Sequence, residues 1–502
     1  RAAMGRGARR GRRQGSSTRC PLPLRYAVPA CIAIVAALLV PWELCSLPLA
    51  ALRRLYHRHA LPLLLPLAKP HPPPSFSSLP AGRPASLRVE VLDYTAEAAA
   101  AGAGQAALLR RVVDRRRPAV IRGVPTAEAL REGLARRGGL LGLAADGRVG
   151  PLDGVRVQSE ADFVMAHERD KGGMIGSTPA ALRFINGVRL SDFVATAAEP
   201  DFLYWTGVPD DSWAEALGNR SAWEDLAVVP EDSEVRLDDV VPLLWLSHHG
   251  TAAQAHHDTS ANVFVQLEGA KRFFVWPPEA AWTLYPYPNI HASYRMSQVN
   301  FSDPDLGLFP RFGSVPPLVV DVLPGDTVVL PPFWVHRVES LSLALSLSVQ
   351  SPSDTEARLA RAYWLRVPFG AADSPRRKAL AVLTYVAALL QELHLGPAGF
   401  MREVYETRFA ALYPLNSLYF LHAQEDVQCI DPRTAGQDDW GELDPGMLKG
   451  AAAVVAGHLV DEAVSEGVRR TWLADYVEQL VRWAVGPHLT ARFLHECGQK
   501  LV

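Results

Sequence analysis

The stretch Ala255-His256-His257-Asp258, the strand-like run Asn262-Val263-Phe264-Val265-Gln266-Leu267 and, further on, Pro331-Pro332-Phe333-Trp334-Val335-His336 decide the reading of this chain. Side chains alternate along an extended segment with period two, so His256 and Asp258 point to one side of their strand and His257 to the other. A second imidazole is available from His336, which follows the turn Leu323-Pro324-Gly325-Asp326 and the apolar run Thr327 to Pro332. Two neutral imidazoles and one carboxylate on one face, with the opposite face open, are the donor set that suits Fe(II). Taken alone, His-x-Asp fits a capped strand end or a turn equally well, so the residues around it carry the argument.

Those residues extend over Pro242 to Gln350. Ala255-His256-His257-Asp258, Asn262 to Phe273 through Gly269-Ala270-Lys271-Arg272, and Trp276-Pro277-Pro278 resemble the first metal strand of the JmjC and cupin-8 family of 2-oxoglutarate oxygenases. Ser297-Gln298-Val299-Asn300, Pro304-Asp305, Phe309-Pro310 and Pro324-Gly325-Asp326 through Ser340 are similar to the second half of the same domain. The likeness is greatest to the peptide-hydroxylase branch that includes the asparaginyl hydroxylase of hypoxia-inducible factor. It implies a mainly β fold with α: a double-stranded β-helix core of the jelly-roll, cupin type, with flanking helices. It also implies Fe(II) and 2-oxoglutarate as cofactors, and a protein or peptide as substrate.

Carried over residue by residue, the resemblance makes His256, Asp258 and His336 the metal ligands. Lys271 falls where the family places a lysine for the distal carboxylate of 2-oxoglutarate, Asn262 where relatives place an amide near the cosubstrate, and Gln350 close to where they often have asparagine. Tyr204, in Phe202-Leu203-Tyr204-Trp205, sits where the family often has a cosubstrate tyrosine, although a strand tyrosine is commonly a core residue. Ala253 departs from the pattern, because the family commonly has a hydroxyl three residues before the first histidine; Thr251 and Ser260 are candidates to replace it. Losing one neutral hydrogen bond costs about 0.5–1.5 kcal/mol, much less than losing a metal ligand. Two other readings remain: a non-catalytic binding module on the same fold, and a JmjC lysine demethylase.

The rest of the chain sets the context. With 502 residues, 48% of them hydrophobic, and a net charge of -2, it can bury a large core and gives no electrostatic reason to expect nucleic acid as a partner. Residues 1–25 form a tail with eight arginines, and residues 26–52 carry the apolar run Tyr26 to Trp42, read as a signal-anchor. Arginines on the cytosolic side would leave everything beyond the anchor lumenal, in the secretory pathway; import into an organelle through an Arg-rich transit peptide is the alternative. Residues 53–86 read as a linker whose later part, Leu61 to Ser86, holds eight prolines.

The oxygenase domain is expected over residues 87–365. Within it Leu87 to Tyr94 alternates as a strand, Ala98 to Val113 reads as a helix, and Arg117-Pro118-Ala119-Val120-Ile121-Arg122-Gly123 is a short buried strand similar to the family's opening strand. Residues 366–502 take on a helical period, with Ser374-Pro375 as a start, Gly396-Pro397 as a stop, and a stripe at Val464, Val468, Trp472, Tyr476, Leu480 and Trp483 before Gly486-Pro487. Such a stripe packs on its own domain or forms a homodimer. Of the five cysteines, only Cys429 and Cys497 lie in the folded part and can pair there. Two glycosylation sequons begin at Asn219, in a polar loop, and at Asn300, expected to be buried.

Overall fold

A computed structural model describes residues 88–501, apart from residues 103, 159–161, 164–182, 197–201, 219, 230–238, 292, 417–426, 428 and 461–463. The tail, the signal-anchor, the Pro-rich linker and Asn219 therefore lie outside the described residues. Among the described residues no single helix is long and apolar enough to cross a membrane.

Among the described residues, fourteen strands form two sheets. In the larger, nine strands follow the order β1 (Glu90–Asp93), β2 (Ala119–Arg122), β12 (Thr327–Leu330), β9 (Ala261–Glu268), β14 (Ala344–Ser351), β7 (Val241–Ser247), β6 (Phe202–Gly207), β3 (Val155–Gln158) and β5 (Arg183–Ile185). In the smaller the order is β11 (Leu318–Val322), β10 (Lys271–Trp276), β13 (Val335–Ser340), β8 (Ala252–His257) and β4 (Asp162–Phe163). Pairing is antiparallel except for β1 with β2 and β4 with β8.

From β8 to β10, and again from β12 to β14, the chain switches sheet at every connection. Gly269 makes one of these crossings with φ +74, and a Cβ there would stand 2.2 Å from the carbonyl oxygen of Leu343, so only glycine fits. At Leu323 to Asp326 the turn closes through Asp326 N–H to Leu323 O at 2.9 Å, with Gly325 at φ +95, which fixes the start of β12.

Three apolar layers hold the sheets. Between them lie Phe264, Val120 and Val328 from the larger sheet and Phe273, Val275 and Val322 from the smaller. The outer face of the larger sheet, with Val263, Val265, Leu345 and Leu347, buries against the helices Gln105–Asp114, Pro125–Arg136 and Gly139–Asp146. On the outer face of the smaller sheet, Phe274, Trp276 and Val335 share a core with the C-terminal helices Pro375–Glu392 and Glu466–Val485.

Several local expectations change. The helix read over Ala98 to Val113 is two, Tyr94–Ala101 and Gln105–Asp114, divided at Gly102 in the left-handed region. Ser374 caps Pro375–Glu392 as expected, but Gly396-Pro397 is the start of the next helix, Pro397–Val404, as well as the end of the preceding segment. In the stripe on Glu466–Val485, Val464 to Leu480 are buried in the chain's own core and Trp483 is exposed. Cys429 and Cys497 form a disulfide. Asn300 is exposed rather than buried, because only its neighbours Val299 and Phe301 turn into the core.

Candidate metal centre

The register of β8 against β13 places His256 directly opposite His336, with ring centroids 4.4 Å apart. Directly opposed residues of an antiparallel pair share a face, so both imidazoles look into the space between the sheets. Asp258 lies just beyond the end of β8, where the chain crosses to β9. Its two carboxylate oxygens stand 4.0 Å from His256 Nε2 and 3.8 Å from His336 Nε2, and the three donor atoms all lie within 4.8 Å of one another. These separations are too long for hydrogen bonds and short enough for a single ion between them, after a small contraction.

The chemistry of the donors fits a divalent ion of the Fe(II) type. His256 Nδ1 bonds the carbonyl of Gln254 at 2.7 Å and His336 Nδ1 that of Trp334 at 3.1 Å. With Nδ1 as the protonated nitrogen, each Nε2 is left with its lone pair directed at Asp258, the arrangement by which an outer partner fixes the tautomer of a ligating histidine. Burial, and then the neighbouring His256, hold His336 down to about 4, so it stays neutral at physiological pH. His256 and Asp258 are each about one-fifth exposed, which leaves one side of the trio open.

The carboxylate is itself held in place. Asn262 Nδ2 and Gln350 Nε2, opposite one another on β9 and β14, both donate to Asp258 Oδ2, at 3.3 and 3.4 Å. In the structure these two amides hold the carboxylate, a different partner from the cosubstrate contact expected for them. Asn262 Oδ1 remains buried without a partner and is available to a ligand beside the trio. His257 points the other way, as strand alternation requires, and stacks on Phe333 with centroids 5.6 Å apart.

Lys271 is 3% exposed and has no carboxylate partner among the described residues; its ammonium lies over the Phe264 ring at 5.3 Å, and burial lowers it to about 7. Ser340, which faces Lys271 across the ladder, lies four steps along β13 from His336, so the lysine stands about 13 Å along the strands from the trio. Tyr204, on β6, is buried and opposite Ser247. Of the two hydroxyls considered for the gap at Ala253, Thr251 Oγ1 is buried without a partner, whereas Ser260 donates to Glu356.

Two contributors were not identified from sequence. Glu356 accepts from Thr259 Oγ1 at 2.6 Å and Ser260 Oγ at 3.2 Å, which clamps the turn that follows Asp258. Ser353 to Glu356 has the Ser-x-x-Glu form of a helix start, which was legible, but its carboxylate is directed to the metal turn instead of to its own cap. Phe333 adopts φ +66, uncommon for a bulky residue, while its N–H donates to Asp258 O at 2.7 Å. A separate cleft of about 630 Å³ lies behind this loop, lined by Pro331, Trp334, Arg111 and Val464 among others, and none of the three donors reaches it.

Comparison with known proteins agrees with the geometry. Residues 191–369 match the model of the cupin-like domain family. The chain is 30% identical over 138 residues to HSPB1-associated protein 1 homolog of Danio rerio, covering 26% of this chain and 30% of that protein. It is 29% identical over 118 residues to JmjC domain-containing protein D of Dictyostelium discoideum, covering 23% and 26%. Lysine-specific demethylase 8 of Danio rerio matches at 32% over 159 residues, covering 30% and 39%. The chain thus spans well under half the length of these relatives. Residues 191–369 are similar to the cupin-like domain family, and the relatives include a protein named for a JmjC domain.

Proposed function

We propose that this protein is an Fe(II)- and 2-oxoglutarate-dependent oxygenase that hydroxylates a side chain of a protein substrate. The observation that carries the reading is the pairing of an open His256, Asp258, His336 trio with a buried lysine that lacks an anionic partner among the described residues, both facing the space between the sheets. When bound, Fe(II) and 2-oxoglutarate would let dioxygen act as the oxidant, one oxygen atom leaving in succinate as the cosubstrate loses CO2 and the other entering a substrate C–H bond. The chain's own residues do the rest. His256, Asp258 and His336 hold the metal, and Asn262 and Gln350 keep the carboxylate turned towards it. Lys271 anchors the far carboxylate of the cosubstrate, and Tyr204 and Thr251 line the same end. Phe264, Phe273 and Val275 exclude water between these two points. On this reading the two sheets are the halves of a double-stranded β-helix.

The test is succinate release from 2-oxoglutarate by the purified chain with iron and ascorbate, compared with its Asp258→Ala variant. Equal release from both would overturn the proposal. Lysine demethylation is the second reading, favoured by the likeness to a protein named lysine-specific demethylase 8. Mass spectrometry of proteins captured by His256→Ala separates the two, since hydroxylation adds one oxygen and demethylation removes a methyl group.

We also propose that the domain is lumenal, anchored through residues 26–52. The Cys429–Cys497 disulfide supports an oxidising compartment, and the exposed Asn300 is then the site where a glycan is expected.

A further inference from the structure

The end of the inter-sheet space that is distant from the metal trio contains a second cation. Lys271 faces Ser340 across β10 and β13, and Ser340 Oγ bonds Ser247 Oγ at 2.7 Å, joining the two sheets. Ser247 faces Tyr204 across β7 and β6, and Tyr204 faces Arg156 across β6 and β3. Each pair shares a face, so these five residues form one continuous row around the interior, with a cation at each end. The Arg156 guanidinium lies over the Tyr204 ring, 5.7 Å from its centroid, and both Nε and Nη1 are buried with no hydrogen-bond partner among the described residues.

An arginine cannot discharge itself by losing its proton, as a lysine can. A buried guanidinium with two idle donors therefore carries a desolvation cost that only an incoming anion offsets. Nearer the metal than this row by two residues, on β8 opposite Val338, Ala253 has no hydroxyl with which to help hold a carboxylate.

We propose that Arg156 is a second cation for the distal carboxylate of the cosubstrate: that carboxylate is held between Lys271 and Arg156, with Tyr204 between them, and the arginine makes up for the hydroxyl missing at Ala253. The proposal rests on the 2-oxoglutarate reading of the site. It makes Arg156 a binding residue on a strand that lies outside the matched cupin-like segment.

The experiment is calorimetric titration of the full chain, loaded with Mn(II) and kept free of oxygen, with 2-oxoglutarate and with 2-oxopentanoate, which has a methyl group in place of the distal carboxylate. Arg156→Met is expected to weaken 2-oxoglutarate by roughly tenfold to a hundredfold, the contribution of one charge-assisted hydrogen bond, and to leave 2-oxopentanoate unchanged. Arg156→Lys, the variant used if Arg156→Met does not fold, is expected to weaken 2-oxoglutarate by about threefold and to spare 2-oxopentanoate, because it keeps the charge and loses the fork. Unchanged 2-oxoglutarate binding, or equal loss of both ligands, overturns the role of Arg156 while Lys271→Met still reports on the site. Failure of the unsubstituted chain to bind 2-oxoglutarate overturns the functional reading itself.

Discussion

Replacing Lys271 with methionine is expected to make the free protein more stable and, at the same time, unable to use 2-oxoglutarate well. Lys271 is 3% exposed, and burial brings it from 10.5 to about 7. The unfolded chain keeps the ordinary lysine, so between about pH 7 and 10.5 it binds more protons than the native state, and stability rises with pH across that window. Below pH 7 the native ammonium remains charged and the full burial cost applies. At about 1.4 kcal/mol per pH unit, that cost is roughly 5 kcal/mol at pH 6 and about 3 kcal/mol at pH 8. Methionine has a similar volume and no charge, so the variant should recover much of this at neutral pH and nothing above pH 10.5. The assay is thermal melting with and without cosubstrate. Without it, Lys271→Met should melt several degrees higher at pH 7. With 2-oxoglutarate at a hundred times its dissociation constant, the unsubstituted protein should gain about 2.7 kcal/mol and the variant almost none. A variant that melts lower than the parent, and that 2-oxoglutarate still stabilises to the same extent, would refute the argument, because Lys271 would then be a structural residue.

Other outcomes follow from the same geometry. Asp258→Ala should abolish iron binding, measured by metal analysis after gel filtration, whereas His257→Ala should retain iron and lose about 2–4 kcal/mol of stability through the cavity left against Phe333. His336 lies at about 4 in the native state against 6.5 unfolded, so the unfolded chain takes up the proton first, and the metal-free protein should lose roughly 3 kcal/mol as pH falls from 6.5 to 4; a denaturation midpoint that stays flat over that range would contradict its burial as a neutral donor. Reducing Cys429–Cys497, which are 68 residues apart, should lower the stability of the fold by about 4 kcal/mol in chemical denaturation. In sealed microsomes, protease added outside should leave the domain intact; its digestion would place the domain on the cytosolic side.

The meeting of His256, Asp258 and His336 was readable because its pattern is local: strand alternation joins His256 to Asp258, and a Pro-Gly-Asp turn followed by an apolar run leads to His336. What holds the trio was less legible. Asn262 and Gln350 are 88 positions apart and meet only through the register of β9 and β14, which no local pattern encodes. Arg156 is an unremarkable strand arginine until the pairing of β3 with β6 puts it beside Tyr204. Gly396-Pro397 misled because the same two residues serve both the end of one helix and the start of another. Asn300 misled because burial inside a motif was inferred from its neighbours, whereas alternation turned it outward.

The limits of family likeness and the limits of what can fold alone differ in this protein. The matched segment ends at residue 369, yet Ser297, whose N–H bonds the carbonyl of Ala255 beside the first metal histidine, belongs to a loop tied to residues well beyond that point. Gln298 Nε2 in that loop donates to Arg408 O, the N–H of Asn289 donates to Glu478, and Arg408 pairs with Asp475 and Glu478 inside the core. On the C-terminal helix, Gly467 lies so close to Pro278 and Glu279 that a Cβ would stand 2.4 Å from the backbone nitrogen of Glu279. A fragment cut to the matched boundaries would lose the support behind the metal strand, and the apolar layer shared with the helices would face water. Recombinant expression should therefore start from the opening strand and keep the last helix, and a fragment of residues 191–369 that shows no activity says nothing about the chemistry of the site.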